Sequence, residues 1–78
     1  MKSMTCNQLG GACDQVFRAE TFEEMAELSK AHGMEMFKLK DTAHLKAMAK
    51  MKELKQSPEA LQKWFNEKRA LFDSLPED

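Results

Sequence analysis

Thr5-Cys6-Asn7-Gln8-Leu9-Gly10-Gly11-Ala12-Cys13-Asp14 is the stretch that decides how the start of this chain folds. Two adjacent glycines permit positive φ and a tight reversal. On either side lie short segments of β character: residues 2–6, and the clearer Val16-Phe17-Arg18-Ala19. Residues 2–19 therefore read as a hairpin or loose two-stranded unit. An isolated hairpin is marginal in water, so this one must pack on helices. A reversal at the glycines sets Cys6 and Cys13 across from each other. Opposed residues of an antiparallel pair have close Cβ atoms, so both sulfurs could reach one ion.

Three helices are legible beyond the hairpin. Thr21-Phe22-Glu23-Glu24 is a capping box, with Thr21 as N-cap and Glu24 reaching back. Phe22, Met25, Ala26, Ser29 and His32 then share one face at helical spacing, opposite Glu23, Glu24, Glu27 and Lys30. Gly33 suits the C′ position that would stop this helix, and a helix that runs on past it is the alternative. The segment Met34–Leu39 alternates like a strand but has helix-forming residues, and its conformation stays open. Asp41 or Thr42 caps a second helix to about Lys55, with His44, Ala47, Met48, Met51 and Leu54 as its stripe and Leu45 beside it. Ser57-Pro58-Glu59 starts a third helix, with Pro in the first turn and an acid at the positive helix end. Its broad apolar face carries Ala60, Leu61, Trp64, Phe65, Leu71, Phe72 and Leu75, and Pro76 ends it. The expected fold is α+β: a small N-terminal two-stranded hairpin packed on three α-helices. It is a single domain over residues 1–78, with the Cys-bearing hairpin in 1–20, the first helix and its extension in 21–40, and two further helices in 41–76.

Composition agrees with a small soluble domain. The chain has 78 residues, 42% of them apolar and 32% charged, with a net charge of −1. That balance argues against a nucleic-acid binder relying on phosphate neutralisation, which needs a basic face. No apolar run approaches the ~18 residues of a membrane span, and no signal-peptide core follows Met1. The expected location is the cytoplasm, where thiols stay reduced and a Cys pair more often serves a metal than a disulfide.

A domain this small has a thin stability margin, and such scaffolds often add a metal or a partner. Two thiolates and two imidazoles make a complete tetrahedral set for zinc. Cys6, Cys13, His32 and His44 match that count, being the only cysteines and histidines in the chain. Zinc is the first choice among transition metals for such donors. The competing reading makes all four core residues, since free Cys is commonly buried and a buried imidazole commonly bonds backbone. His32-Gly33-Met34-Glu35-Met36 is a second soft-metal pattern, suited to Cu(I), but core packing of the two Met is the preferred reading.

These residues also carry a resemblance. The Cys-x₆-Cys stretch with Leu9-Gly10 inside it, the Thr-Phe-Glu-Glu helix start and Ala31-His32-Gly33-Met34 resemble a small bacterial and archaeal family of unknown function, labelled "predicted small metal-binding protein". The resemblance is most specific over residues 4–36, and the rest looks like the helical extension of a longer subgroup. It implies a helix ending in His-Gly and a Cys/His metal site to which Cys6, Cys13 and His32 belong. Many members carry a further His five residues before the His-Gly. Here that position is Glu27, which projects away from His32 on an ideal helix and leaves His44 as the substitute.

The function expected is therefore a small non-enzymatic protein that binds a metal ion through a Cys/His cluster. No P-loop, HExxH or Ser/His/Asp arrangement is present, and an enzyme is not expected. The alternative is a helical interaction module, a homo-oligomer or a binder of another protein, using apolar helix faces such as that of Trp64, Phe65, Phe72 and Leu75.

Overall fold

Lys2–Thr5 (β1) and Val16–Ala19 (β2) pair antiparallel, with Lys2 opposite Ala19 and Met4 opposite Phe17. Alternation along each strand sends Met4, Phe17 and Ala19 inward and leaves Val16 and Arg18 outside. This is a computed structural model, and it describes residues 1–77.

Phe22–Lys38 (α1) follows directly. Thr21 caps it as its sequence suggests, its hydroxyl accepting from the Glu24 amide at 3.2 Å. The helix does not stop at Gly33. It runs on through the Met34–Lys38 segment that alternation had left open. A glycine inside a helix costs only about 1 kcal/mol, and the true stop lies further on. Lys40 takes the left-handed conformation (φ 56°). Its amide donates to Phe37 O at 3.1 Å, and the Asp41 amide donates to Met36 O at 3.2 Å. This is a Schellman motif built on a lysine where glycine is usual. The strand-like alternation has no buried side to express: Met34, Phe37 and Leu39 are 57%, 61% and 67% exposed. Core packing of Met34 is thereby corrected.

Thr42–Lys55 (α2) is capped by Asp41, so a single residue closes one helix and opens the next. Pro58–Ser74 (α3) starts at the expected Ser57 cap with Pro in its first turn.

The core joins the hairpin to α1 and α3. Met4, Cys6, Leu9, Phe17, Ala19, Phe22, Met25 and Phe72 form one buried cluster. Phe22 and Phe72 meet edge to face at 6.0 Å. Lys2 Nζ donates to Phe72 O and Asp73 O, both at 3.1 Å, near the negative end of α3. Arg69 on α3 donates to Glu23 on α1 at 2.8 Å, and this guanidinium holds the Glu23 carboxyl below its ordinary range. Helix α2 is attached differently. Its only buried residue is His44, an imidazole rather than a hydrophobe.

Candidate metal centre

The cysteines do not face each other across paired strands. β1 ends at Thr5 and β2 starts at Val16, so both lie in the loop between them. The loop owes its shape to backbone bonds rather than to a two-residue turn at the glycines. Residues Asn7–Leu9 form a 3₁₀ turn, closed by Gly10 at φ 91°. The Cys6 carbonyl accepts from Leu9 N at 3.1 Å and from Gly11 N at 2.8 Å. Cys6 N donates to Gln15 O at 2.8 Å, and Asn7 N donates to Cys13 O at 2.9 Å. The loop thus curls over the Cys6 side chain. At Gly11 there is no room for a side chain, because a Cβ there would lie 2.1 Å from Cys6 Sγ. At Gly10 a Cβ would meet the Trp64 ring at 3.2 Å, so the loop also seats closely on α3.

Helical periodicity delivers the histidines. His32 lies on the inward face of α1, ten residues after Phe22, and stacks edge to face with Phe17 at 5.4 Å. His44, in the first turn of α2, is 5% exposed. The two imidazoles meet edge to face at 5.3 Å. Their Nε2 atoms point at different sulfurs: His44 Nε2 lies 3.5 Å from Cys6 Sγ, and His32 Nε2 lies 3.3 Å from Cys13 Sγ. One ligand atom from each of Cys6, Cys13, His32 and His44 lies within 4.8 Å of all the others. All four residues picked from the sequence are therefore brought together, although the strand pairing expected to do it is absent. Around a tetrahedral zinc with Zn–S of about 2.3 Å and Zn–N of about 2.0–2.1 Å, neighbouring donors sit roughly 3.3–3.8 Å apart. The two sulfur–nitrogen separations already fall in that range. Glu27 is exposed and outside the cluster.

Asp41 is the functional residue that the sequence reading treated only as a cap. Its Oδ2 accepts from the His44 amide at 3.0 Å and from His44 Nδ1–H at 2.6 Å. The hydrogen bond from the ring, followed by that from the amide, holds the Asp41 carboxyl below its ordinary range. A carboxylate at Nδ1 favours the tautomer with its proton there, which directs the Nε2 lone pair at Cys6 Sγ. A carboxylate behind a ligating histidine commonly sets its tautomer and orientation in this way. The signal was present in the sequence as the i, i+3 spacing of Asp41 and His44 on a helix start.

Burial pushes the Cys6 thiol up, and Cys13 beside it adds to the rise, while the backbone amides of Cys13 and Ala12 pull the other way. Cys6 is 3% exposed and Cys13 half-buried, and neither is in a disulfide. Without a cation the buried thiol keeps its proton. A cation would displace it and find amides already directed at the sulfur.

No family model, curated protein or solved structure matches this chain. No helix among the described residues is long and apolar enough to cross a membrane.

Proposed function

We propose that this protein is a small, non-catalytic metal-binding protein whose ligands are Cys6, Cys13, His32 and His44, and that zinc is its ion. The observation that carries the reading is the convergence of these four donor atoms within 4.8 Å, from a loop and two helices. A two-sulfur, two-nitrogen set of this shape suits zinc among the divalent metals. Four protein donors fill a tetrahedral shell and leave no position for substrate, as in structural rather than catalytic sites. Asp41 behind His44 supports the same reading. The thiols must stay reduced, as they do in cytoplasm.

The test is native mass spectrometry with elemental analysis on untagged protein purified without oxygen. One equivalent of zinc is expected, absent from the Cys6→Ser/Cys13→Ser variant. A protein that carries no metal and takes up none of the added zinc, cobalt or copper(I) would sink the proposal. Cobalt substitution adds a second readout, because intense thiolate-to-cobalt absorption requires sulfur ligation and tetrahedral geometry.

A further inference from the structure

A second site lies on the other side of Cys6 and His44. α1, α2, α3 and the cysteine loop enclose an open cavity of about 350 Å³. Its walls are overwhelmingly apolar, with Ala47, Met48 and Met51 from α2, Trp64 and Phe65 from α3, and Gly33 from α1. The helices leave a slot lined by two thioethers and by the aromatic side chains of Phe22, Trp64 and Phe65. Flexible Met side chains adapt to ligands of varied shape.

Charge selects the occupant. No carboxylate lines the cavity, but two ammonium groups do: Lys30 from α1 and Lys55 from the end of α2. Both residues are exposed, so they stand at its rim. Neither has an ion-pair partner among the described residues. A protein of net charge −1 thus presents two uncommitted cations at the mouth of an apolar slot. That pattern complements a small amphiphile with an anionic head and a flexible hydrocarbon tail. At about 30 Å³ per heavy atom, comparable to the share of one water, the volume holds roughly a dozen heavy atoms, within the span of small-molecule pockets.

We infer that this cavity binds a medium-chain carboxylate, with the tail against Met48, Met51 and Trp64 and the head between Lys30 and Lys55. Cys6 and His44 form one wall of the cavity, but the residues that hold tail and head here are not proposed ligands, so the inference does not rest on the metal reading. Trp64 is the only tryptophan in the chain, so the emission comes from a single ring at the cavity wall.

The experiment titrates the whole protein as purified with decanoate below its micelle concentration and follows Trp64 emission. Decanol and decyltrimethylammonium serve as the neutral and cationic counterparts. Decanoate should give a saturable blue shift with one-to-one stoichiometry by calorimetry. Decanol, or decanoate with the Lys30→Gln/Lys55→Gln variant, should bind roughly two- to thirtyfold more weakly, the range of two exposed charge pairs. Gly33→Leu supplies the blocking variant. A Cβ at Gly33 finds only Met48 Cε, at 3.8 Å, and leucine favours the helix, so the fold is kept while the side chain fills the slot. It should abolish the shift. Three results overturn the inference: no saturation with decanoate, equal affinity for decanol and decanoate, or a Trp64 shift that follows protein concentration together with a dimer in sedimentation. In the last case a second copy of the chain fills the slot. Metal content enters none of these readouts, so failure here leaves the metal proposal intact, and failure there leaves this one.

Discussion

Gly11→Ala is the sharpest probe of how the cysteine loop is built. A methyl carbon at Gly11 would sit 2.1 Å from Cys6 Sγ, well over an ångström short of the 3.4 Å where ordinary contact starts, and 3.0 Å from Cys6 O. The loop cannot simply recede, because the Gly11 amide is bonded to that same carbonyl at 2.8 Å. The sulfur cannot swing out without leaving the core and its 3.5 Å approach to His44 Nε2. Gly11 does not have a positive φ, so the penalty is steric rather than conformational. Overpacking of this kind costs about 1–3 kcal/mol, and a collision with a fixed sulfur belongs at the upper end, about 2–3 kcal/mol. For a domain of this size that lowers Tm by roughly 8–24 °C.

The sulfur and carbonyl contributions separate in a double-mutant cycle with Cys6→Ala. Urea denaturation is followed by far-UV circular dichroism in the presence of a chelator, so that no metal term enters. With the sulfur gone, Gly11→Ala should cost less than about 1 kcal/mol, which makes the coupling energy about 2 kcal/mol. The reasoning is refuted if Gly11→Ala costs the same in both backgrounds, because the collision would then be with backbone alone. It is equally refuted if the substitution costs nothing.

Asp41→Asn retains a capping oxygen but removes the charge behind His44. It should lower zinc affinity by roughly 10–100-fold in competition with a chromophoric chelator, with little change in the stability of the metal-free protein. Asp41→Ala should lose the cap as well, costing about 1 kcal/mol more in urea denaturation. Lys40→Gly relieves the left-handed φ of 56° and should stabilise the protein by about 0.5–1 kcal/mol in the same assay, while leaving zinc affinity unchanged.

The parts of the fold written in local chemistry were legible. The caps at Thr21, Asp41 and Ser57 and the inward alternation of β2 are decided by residues within a few positions of one another. The end of α1 was not, because its Schellman motif uses Lys40, a residue that gives no sign of a left-handed conformation. Gly33, which does look like a stop, lies inside the helix instead. The hairpin is legible, but a reversal at the glycines predicts cysteines opposed across it, and they lie together in its loop. The loop is shaped by backbone bonds from Leu9 and Gly11 to Cys6 O, and side-chain patterns do not encode such bonds. The approach of His32 and His44 also depends on how α1 and α2 pack, which no local pattern specifies. Counting donor types found the four residues, and only the three-dimensional arrangement brought their ligand atoms together.

The attachment of α2 connects the candidate site to the fold. The hairpin, α1 and α3 share a hydrophobic cluster that includes Phe72 and Met25. α2 contributes none of its members, and its one fully buried side chain is His44. A buried hydrophobe there would be worth roughly 1.5–3 kcal/mol, and an imidazole is a poor replacement for it. The position makes physical sense if His44 is held by something stronger than packing. In the metal-free protein the groups that hold it are Asp41, three residues away on the same helix start, the 3.5 Å approach to Cys6 and the edge of the His32 ring at 5.3 Å. On the proposed function, an ion shared by Cys6, Cys13, His32 and His44 joins the loop, α1 and α2 at one point. Binding free energy at such a point is folding free energy, and here it would tie down the helix whose one fully buried side chain is an imidazole.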